Sequence, residues 1–224
     1  MNDLFYSLAV TPLMEDEGLY ARAYATVTDA DRRKKLDRIK VKRERCLSLG
    51  GWLLLRKALR ERGLAPALAY GEHGKPFLKD CPGLHFNISH SGDYVICALS
   101  DAPVGCDIEK LQPVRERVAA RFFSPEENAA LAAAADEAAR EMLFFRFWTL
   151  KESFLKAVGC GITEPLSAAS FDLSGEAPVV RQTIAPGTFF FREYGDIPGY
   201  CVSLCKTADG PFPPPEEILL AEVI

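Results

Sequence analysis

The chain has 224 residues, of which 48% are hydrophobic and 26% charged, a composition typical of a globular protein with a sizeable core. No uncharged apolar run approaches the ~18–20 residues that cross a bilayer, and the N-terminus lacks the basic and apolar segments of a signal peptide. The seven cysteines are scattered without a CxxC pair, which argues against a disulfide framework or a structural zinc site. We therefore expect a cytoplasmic protein with buried free thiols and no membrane contact.

Charge is distributed unevenly along the chain. Residues 31–62 contain thirteen Lys or Arg against four Asp or Glu, a net charge of +9, whereas the whole chain carries −4. Such asymmetry is typical of a segment that meets an anionic partner, although a solvated helix face would show the same composition. Both interpretations stay open.

The first third of the chain is predicted to contain a strand followed by helices. Residues 1–10 alternate loosely between apolar and polar types, and residues 28–31 supply helix-capping side chains before the basic stretch. The apolar spacing of residues 45–64 predicts an amphipathic helix that ends at Gly63. Two glycines and a proline then predict a loop over residues 71–76.

The middle of the chain is predicted to form strands. Residues 85–89 favour a strand, residues 90–93 a turn, and the apolar run of residues 94–99 a buried strand. A further strand is predicted over residues 104–109.

Long helices and then short strands are predicted beyond residue 120. Ser at the cap, Pro at the first position and Glu three residues after the cap mark a helix start over residues 124–127. This alanine-rich helix is expected to reach about Ala139, with a second helix over residues 141–158. Residues 168–205 favour several short strands, and residues 211–215 an extended strap. The predicted fold class is α+β.

Three carboxylates and a lysine are predicted to converge. Asp107 and Glu109 are two residues apart in a strand and face the same side, whereas Glu152 and Lys156 share one face of a helix. Oxygen anions beside a cation suit a hard divalent metal that holds a phosphorylated ligand. Alternatively, the acids lie on the solvent side of an edge strand and Glu152 pairs with Lys156 on a helix surface. Lys75 lies in a loop that could approach such a ligand, or is an ordinary turn lysine.

A short polar run follows the predicted strand at residues 85–89. Ser89, His90 and Ser91 could all donate hydrogen bonds to phosphate oxygens. Strict alternation would place His90 with Phe86 and Ile88, toward the core, as a half-buried histidine. We expect the strand to stop at Ser89, which would free the imidazole ring to point at a ligand.

Five motifs resemble those of the 4′-phosphopantetheinyl transferase superfamily, specifically its long, monomeric Sfp-type branch. They fall in the order found in that family and span residues 74–161, about 40% of the chain. The matching segments are Gly74–Pro76, Phe86–Ser91, Val104–Glu109, Arg121–Ser124 and Phe147–Lys156.

The resemblance implies a fold and a reaction. It implies two similar α/β halves that form a pseudo-dimer, residues 1–102 contributing to coenzyme A binding and residues 103–224 carrying the carboxylates. Coenzyme A would bind between the halves with its pyrophosphate on Mg²⁺. A serine hydroxyl of an apo acyl or peptidyl carrier protein would attack the β-phosphate, accept 4′-phosphopantetheine and release adenosine 3′,5′-bisphosphate.

The resemblance also implies residue roles. Asp107, Glu109 and Glu152 would be the metal ligands. The catalytic residues would be Glu152, Lys156 and Asp107, with Glu152 taking the serine proton directly or through a metal-bound water. Residues expected to hold coenzyme A are Lys75, Ser89, His90, Lys156, Arg45 and Lys34, the last two with Arg33 near the 3′-phosphate.

Other functions compete with this interpretation. The chain could be a catalytically silent relative that only binds coenzyme A or a carrier, or another Mg²⁺-dependent phosphotransferase. It could also bind nucleic acid through residues 31–62, although that would leave the carboxylate motifs unexplained. We expect a monomer that binds neither nucleic acid nor membrane. The alanine-rich residues 129–139 depart from the family pattern and leave carrier specificity open.

Overall fold

The computed structural model describes residues 3–71, 74–161 and 166–224. Up to residue 102 the elements are β1 Leu4–Ala9, α1 Thr11–Glu15, α2 Glu17–Ala25, α3 Ala30–Arg38, α4 Lys42–Glu61, β2 Leu68–Tyr70, β3 Pro76–Leu78, β4 His85–Ser91 and β5 Tyr94–Ser100. The remaining elements are β6 Val104–Lys110, α5 Glu116–Phe122, α6 Pro125–Ala132, α7 Glu137–Val158, β7 Ala169–Asp172, β8 Val179–Gln182, β9 Phe190–Tyr194, β10 Tyr200–Lys206 and β11 Glu216–Glu217.

Two sheets organise these elements. The N-terminal sheet has the strand order β11–β1–β5–β4, and the C-terminal sheet has the order β6–β10–β9. Neighbouring strands are antiparallel, except that β11 runs parallel to β1. Two short hairpins, β2–β3 and β7–β8, lie outside these sheets.

The two sheets pack face to face between two long helices. Ile96 and Ala98 of β5 form a buried cluster with Cys106 and Ile108 of β6. The opposite face of the N-terminal sheet is covered by α4, and that of the C-terminal sheet by α7. The order of layers is therefore helix, sheet, sheet, helix. This arrangement confirms the predicted α+β class with two similar halves.

Strand β6 approaches α7 closely because one of its residues is glycine. Gly105, Asp107 and Glu109 alternate with residues that face the N-terminal sheet, so all three point toward α7. A Cβ atom at Gly105 would overlap the Ser153 carbonyl oxygen and the Ala157 nitrogen. The missing side chain thus brings the two carboxylates of β6 against the helix that carries Glu152 and Lys156.

Several predicted boundaries were wrong. Strand β4 continues to Ser91 rather than stopping at Ser89. Helix α6 ends at Ala132, and α7 begins at residue 137, where the Asp136 side chain accepts a 2.7 Å hydrogen bond from the Ala139 N–H. Alanine-rich sequence gives no signal for the break, since alanine favours helix throughout. The predicted loop at 71–76 includes residues 72–73, which lie outside the described residues.

The C-terminal tail returns from the C-terminal sheet to the N-terminal half. The Ile218 N–H donates a 2.8 Å hydrogen bond to the Ser7 carbonyl, beside the β11–β1 pairing. The Arg56 guanidinium of α4 donates to the Val223 carbonyl. Residues 216–223, which follow the predicted strap at 211–215, therefore tie the C-terminal end of the chain to its first half. Across the described ranges, no helix is long and apolar enough to cross a membrane.

Candidate active site

The centre of the site is an ion pair between α7 and β6. The Lys156 Nζ lies 2.5 Å from the Asp107 Oδ1 and donates to the Ser89 Oγ at 3.0 Å and the Cys106 carbonyl at 3.3 Å. The Ser89 hydroxyl is itself 2.7 Å from the Asp107 Oδ1. Burial disfavours the ammonium charge, but attraction to Asp107 outweighs it and raises the pKa of Lys156. The lysine is therefore a fixed cation at neutral pH.

Glu152 lies one helical turn before Lys156 and is itself buried. Burial raises its pKa to about 7, with further increases from the negative charges of Asp107 and Glu109, while Lys156 acts in the opposite direction. A carboxylate with this pKa gains and loses a proton near physiological pH. It can therefore accept a proton from a bound hydroxyl group.

Glu109 occupies the outer end of the acidic group. Burial and repulsion from Asp107 raise its pKa, whereas hydrogen bonds from Ser91 and Trp148 lower it. The Ser91 Oγ lies 2.8 Å from the Glu109 Oε2. The mutual effects among the three acids show that the structure brings Asp107, Glu109 and Glu152 within electrostatic reach of one another, as the sequence predicted.

Among the described residues, two buried carboxylate oxygens have no hydrogen-bond partner, the Asp107 Oδ2 and the Glu152 Oε1. Buried anionic oxygens without partners are costly unless a ligand or ion completes them. In the part of the chain that the structure describes, no three His, Cys, Asp or Glu residues are arranged to hold a metal by themselves. An all-oxygen donor set fits a hard cation such as Mg²⁺, which takes its remaining ligands from water and phosphate.

His90 points away from this acidic group. Along β4, Ser89 faces β6, whereas His90 lies on the opposite face with Phe86 and Ile88, as alternation predicted. The expected strand end at Ser89 is wrong, and the ring is exposed for a different reason: it lines a cleft of about 190 Å³ beneath α4. The strand thus carries candidate ligand-binding residues on both faces.

The cleft at His90 continues into a second cavity of about 490 Å³. Both cavities are lined by Arg32, Lys35, Trp52 and Tyr70, and we call the combined groove the basic cleft. The guanidinium of Arg32 lies 5.6 Å from the Trp52 ring centre, and burial lowers the pKa of Arg32. Aromatic rings beside cations suit a phosphorylated ligand with a flat base.

The basic cleft was not predicted from the sequence. The charge excess of residues 31–62 signals a cationic segment but does not tell which cations face a cavity. Other cations of that segment are engaged within the chain: Arg43 with Asp93 at 3.0 Å, and Lys57 with Glu61 at 2.7 Å. The segment is therefore not one open basic surface, which weakens its interpretation as a nucleic-acid-binding region.

Comparison with known proteins identifies the family. Residues 103–205 match the 4′-phosphopantetheinyl transferase superfamily, and residues 15–102 match its N-terminal region, described as 4′-phosphopantetheinyl transferase, N-terminal. The chain belongs to the 4′-phosphopantetheinyl transferase superfamily.

Individual relatives agree with this assignment. A 4′-phosphopantetheinyl transferase of Bacillus subtilis is 36% identical over 79% of this chain and 80% of its own. The 4′-phosphopantetheinyl transferase Sfp of Bacillus subtilis strain 168 is 33% identical over 87% of each chain. A solved structure, the holo-[acyl-carrier-protein] synthase of Thermotoga maritima, covers 46% of this chain and 61% of its own at 23% identity. Its TM-score of 0.40 is too low to add to the assignment.

Four other residues that were predicted to hold coenzyme A form no hydrogen bond or ion pair with Asp107, Glu109 or Glu152 in the described structure. Lys75 donates to the Lys156 carbonyl and, at 3.4 Å, to that of Ala157, at the C-terminal end of α7. The guanidinium of Arg45 lies 5.4 Å from the Tyr20 ring centre. Lys34 is exposed at the rim of the basic cleft and lies 3.1 Å from the Asp31 carboxylate. The Arg33 guanidinium donates a hydrogen bond to the Val27 carbonyl.

Lys151, inside the Phe147–Lys156 motif, has a structural role. Its Nζ lies 2.8 Å from the Glu127 Oε2, and both side chains are fully buried. The Glu127 carboxylate also accepts hydrogen bonds from the Ser124 N–H at 2.8 Å and the Phe171 N–H at 2.9 Å. This buried pair joins α6, α7 and β7, and so anchors the helix that carries Glu152 and Lys156.

Proposed function

We propose that this transferase moves 4′-phosphopantetheine from coenzyme A to a serine of an apo acyl or peptidyl carrier protein. The reaction depends on Mg²⁺ and releases adenosine 3′,5′-bisphosphate. One observation carries the proposal: a lysine bound to Asp107 stands beside two buried carboxylate oxygens without partners. A divalent cation and a pyrophosphate would complete this set of charges. The printed names of the relatives support the same group transfer.

The three acids Asp107, Glu109 and Glu152 are the proposed metal ligands, and they would close around the ion together with the phosphates, since the described residues do not form a ready-made metal cluster. A bound Mg²⁺ supplies charge neutralisation to the pyrophosphate oxygens. The Asp107 Oδ2 and the Glu152 Oε1 are the oxygens that remain free for it. Water and the phosphates of coenzyme A would supply the other ligands.

Glu152 is proposed as the base for the carrier serine. Its pKa is raised to about 7 in the metal-free protein, and its carboxylate would accept the hydroxyl proton directly or through a water. Lys156, held by Asp107, would stabilise negative charge on the phosphate as the bond to the leaving group breaks. No covalent enzyme intermediate is needed, since the serine attacks the β-phosphate itself.

The nucleotide part of coenzyme A is proposed to occupy the basic cleft. Arg32, Lys35 and His90 would meet its phosphates, and Trp52 and Tyr70 offer aromatic rings for the base. Sequence similarity adds Lys75 and Lys156 to the coenzyme A contacts, and Arg45 and Lys34 near the 3′-phosphate. Ser89, also expected there, would act through Asp107 and Lys156, with which it forms hydrogen bonds. The first half of the chain would thus bind the nucleotide, while the second half performs the chemistry. Because one chain contains both parts, a monomer suffices.

An intact-mass assay tests the proposal. The protein is incubated with an apo carrier protein, coenzyme A and Mg²⁺, and the carrier is weighed. We expect the carrier to gain one phosphopantetheine, and to gain none when EDTA is added or when its acceptor serine is replaced by alanine. Absence of any gain across acyl and peptidyl carriers, with coenzyme A binding measured separately, would contradict the proposal and favour a silent relative.

A further inference from the structure

The strands β4 and β6 meet through side chains rather than through a backbone ladder. They are edge strands of different sheets. Side-chain hydrogen bonds join them, among them the Cys106 N–H to the Asn87 Oδ1 at 2.9 Å, Ser89 to Asp107 at 2.7 Å, and Ser91 to Glu109 at 2.8 Å. Because Ser89 and Ser91 are two residues apart on β4, and Asp107 and Glu109 are two residues apart on β6, serines and carboxylates meet one to one.

The direction of each serine hydroxyl is determined by its other partner. Ser91 Oγ accepts a 3.1 Å hydrogen bond from the Lys110 backbone N–H, so its single proton is available for Glu109. Ser89 Oγ accepts from the Lys156 ammonium, so its proton goes to Asp107. Both serines are therefore oriented donors, each held by an N–H group on one side.

Holding one oxygen of a carboxylate fixes where the other oxygen points. Ser89 and Lys156 both bind the Asp107 Oδ1, and the Asp107 Oδ2 is left without a partner. Ser91 binds the Glu109 Oε2, and a hydrogen bond from Trp148 also acts on this carboxylate. A glutamate side chain has three rotatable bonds, so an unrestrained Glu109 would lose more conformational freedom on binding an ion.

We propose that Ser91 is a positioning residue for Glu109. Its oriented hydroxyl holds one carboxylate oxygen and presents the other to the metal, as Ser89 does for Asp107; this inference rests on the proposed metal site. Ser91 therefore acts through Glu109 rather than as a donor to phosphate. Groups that orient metal ligands change metal affinity by about 10- to 100-fold when they are removed.

A pair of nearly isosteric variants isolates the hydroxyl. Ser91→Thr keeps the O–H on a β-branched side chain that suits a strand, whereas Ser91→Val replaces it by a methyl group. Ser203→Ala is the matched control, because Ser203 lies opposite Asp107 on β10, is buried, and its Oγ has no hydrogen-bond partner within the described ranges. Circular dichroism checks that each variant is folded.

Mn²⁺ binding, followed by electron paramagnetic resonance with coenzyme A present and no carrier protein, is the primary readout. We expect Ser91→Val to raise the Kd for Mn²⁺ about tenfold relative to Ser91→Thr, with Ser203→Ala unchanged. In the transfer assay, Ser91→Val should need about tenfold more Mg²⁺ for half-maximal rate, with kcat at saturating metal within about threefold of the Thr variant.

Two results separate this inference from the proposed function. Equal Mn²⁺ affinity in Ser91→Thr and Ser91→Val, with the wild type binding normally, would overturn the positioning role and leave the metal site intact. A wild-type protein that does not bind Mn²⁺ with coenzyme A present would overturn the metal site and the positioning role together. An equal loss in Ser203→Ala would also overturn the role, because the effect would then not depend on the hydrogen bond to Glu109.

Discussion

Helices α4 and α7 each cover the outer face of a sheet, but they present different surfaces to it. The buried residues of α4 are apolar apart from Cys46, and Gly50 and Gly51 allow the helix to approach Val10, Val95 and Ile88. On α7, by contrast, buried positions include Lys151, Glu152 and Ser153, and the glycine that permits close approach lies on the strand.

This difference shows how one architecture supports two roles. A buried apolar face is stable without partners, so the α4 half forms a scaffold whose cations and aromatic rings line a cleft at its edge. Buried charges require compensation. On α7, Lys151 is compensated by Glu127, and Lys156 by Asp107, but Glu152 retains an oxygen without a partner. This incomplete compensation is why we assign the proposed chemistry to the half that contains α7, called the reactive half below.

The largest effect is expected from breaking the buried pair on α7. Lys151→Met leaves the buried Glu127 carboxylate without its cation and should cost about 3–5 kcal/mol in the free energy of unfolding, measured with urea. The exposed pair of Lys34 and Asp31 is the comparison, and Lys34→Met should cost less than about 1 kcal/mol. If Lys151→Met unfolds like the wild type, the structural role of Lys151 is wrong.

The next effect is expected in catalysis. Asp107→Asn preserves the size of the side chain but removes the charge that holds Lys156, and we expect transfer to fall by at least about 100-fold in protein that circular dichroism shows to be folded. Asp172→Asn is the control. Asp172 lies in β7, where its carboxylate accepts a hydrogen bond from Ser174, and the variant should retain activity within about twofold. Near-normal turnover of Asp107→Asn with Mg²⁺ present would contradict the site assignment.

The two close helix–strand approaches should differ in their tolerance of a methyl group. Gly105→Ala places a Cβ against helix backbone, which cannot move aside, and should cost roughly 3 kcal/mol. Gly50→Ala brings a Cβ to 2.7 Å from the Val10 side chain, and the gain of about 1 kcal/mol in helix propensity offsets part of the strain. Equal costs in urea unfolding would contradict the backbone contact at Gly105.

The smallest effect is a pH dependence of stability in the metal-free protein. The pKa of Glu152 is about 7 in the folded protein, compared with an ordinary value of 4.5, so the folded state binds this proton more tightly than the unfolded state does. The free energy of unfolding therefore falls as the pH rises from 4.5 through 7, by at most roughly 3 kcal/mol. Relative to wild type, Glu152→Gln should become more stable by roughly 2–3 kcal/mol between pH 5 and pH 8. A difference independent of pH would contradict the raised pKa.

Local patterns in the sequence predicted those features that depend on neighbouring residues. Alternation placed Asp107 and Glu109 on one side of β6, and helical spacing placed Glu152 beside Lys156. The capping box at 124–127 is confirmed by reciprocal bonds between Ser124 and Glu127. The division of the chain at residue 102 stays a prediction.

Features that depend on distant residues could not be predicted in this way. Arg32 and His90 line one cleft only because α3, α4 and β4 pack together. The bond from Ser91 to Glu109 depends on how two sheets meet, and the pairing of Lys151 with Glu127 depends on how α6 packs on α7. The predicted strand end at residue 89 is wrong because the polar residues 90–93 favour a turn, whereas pairing with β5 extends β4 to Ser91.

The division of labour between the two halves is tested most directly by measuring coenzyme A affinity and single-turnover transfer rate in two variants. Lys35→Ala alters the basic cleft, and Glu152→Gln alters the reactive half. We predict that Lys35→Ala weakens coenzyme A binding about tenfold while the rate at saturating coenzyme A stays within about threefold. Glu152→Gln should bind coenzyme A within about threefold of wild type and lose at least about 100-fold in rate. If both variants lower the same quantity, or if Glu152→Gln transfers at the wild-type rate, the account is contradicted.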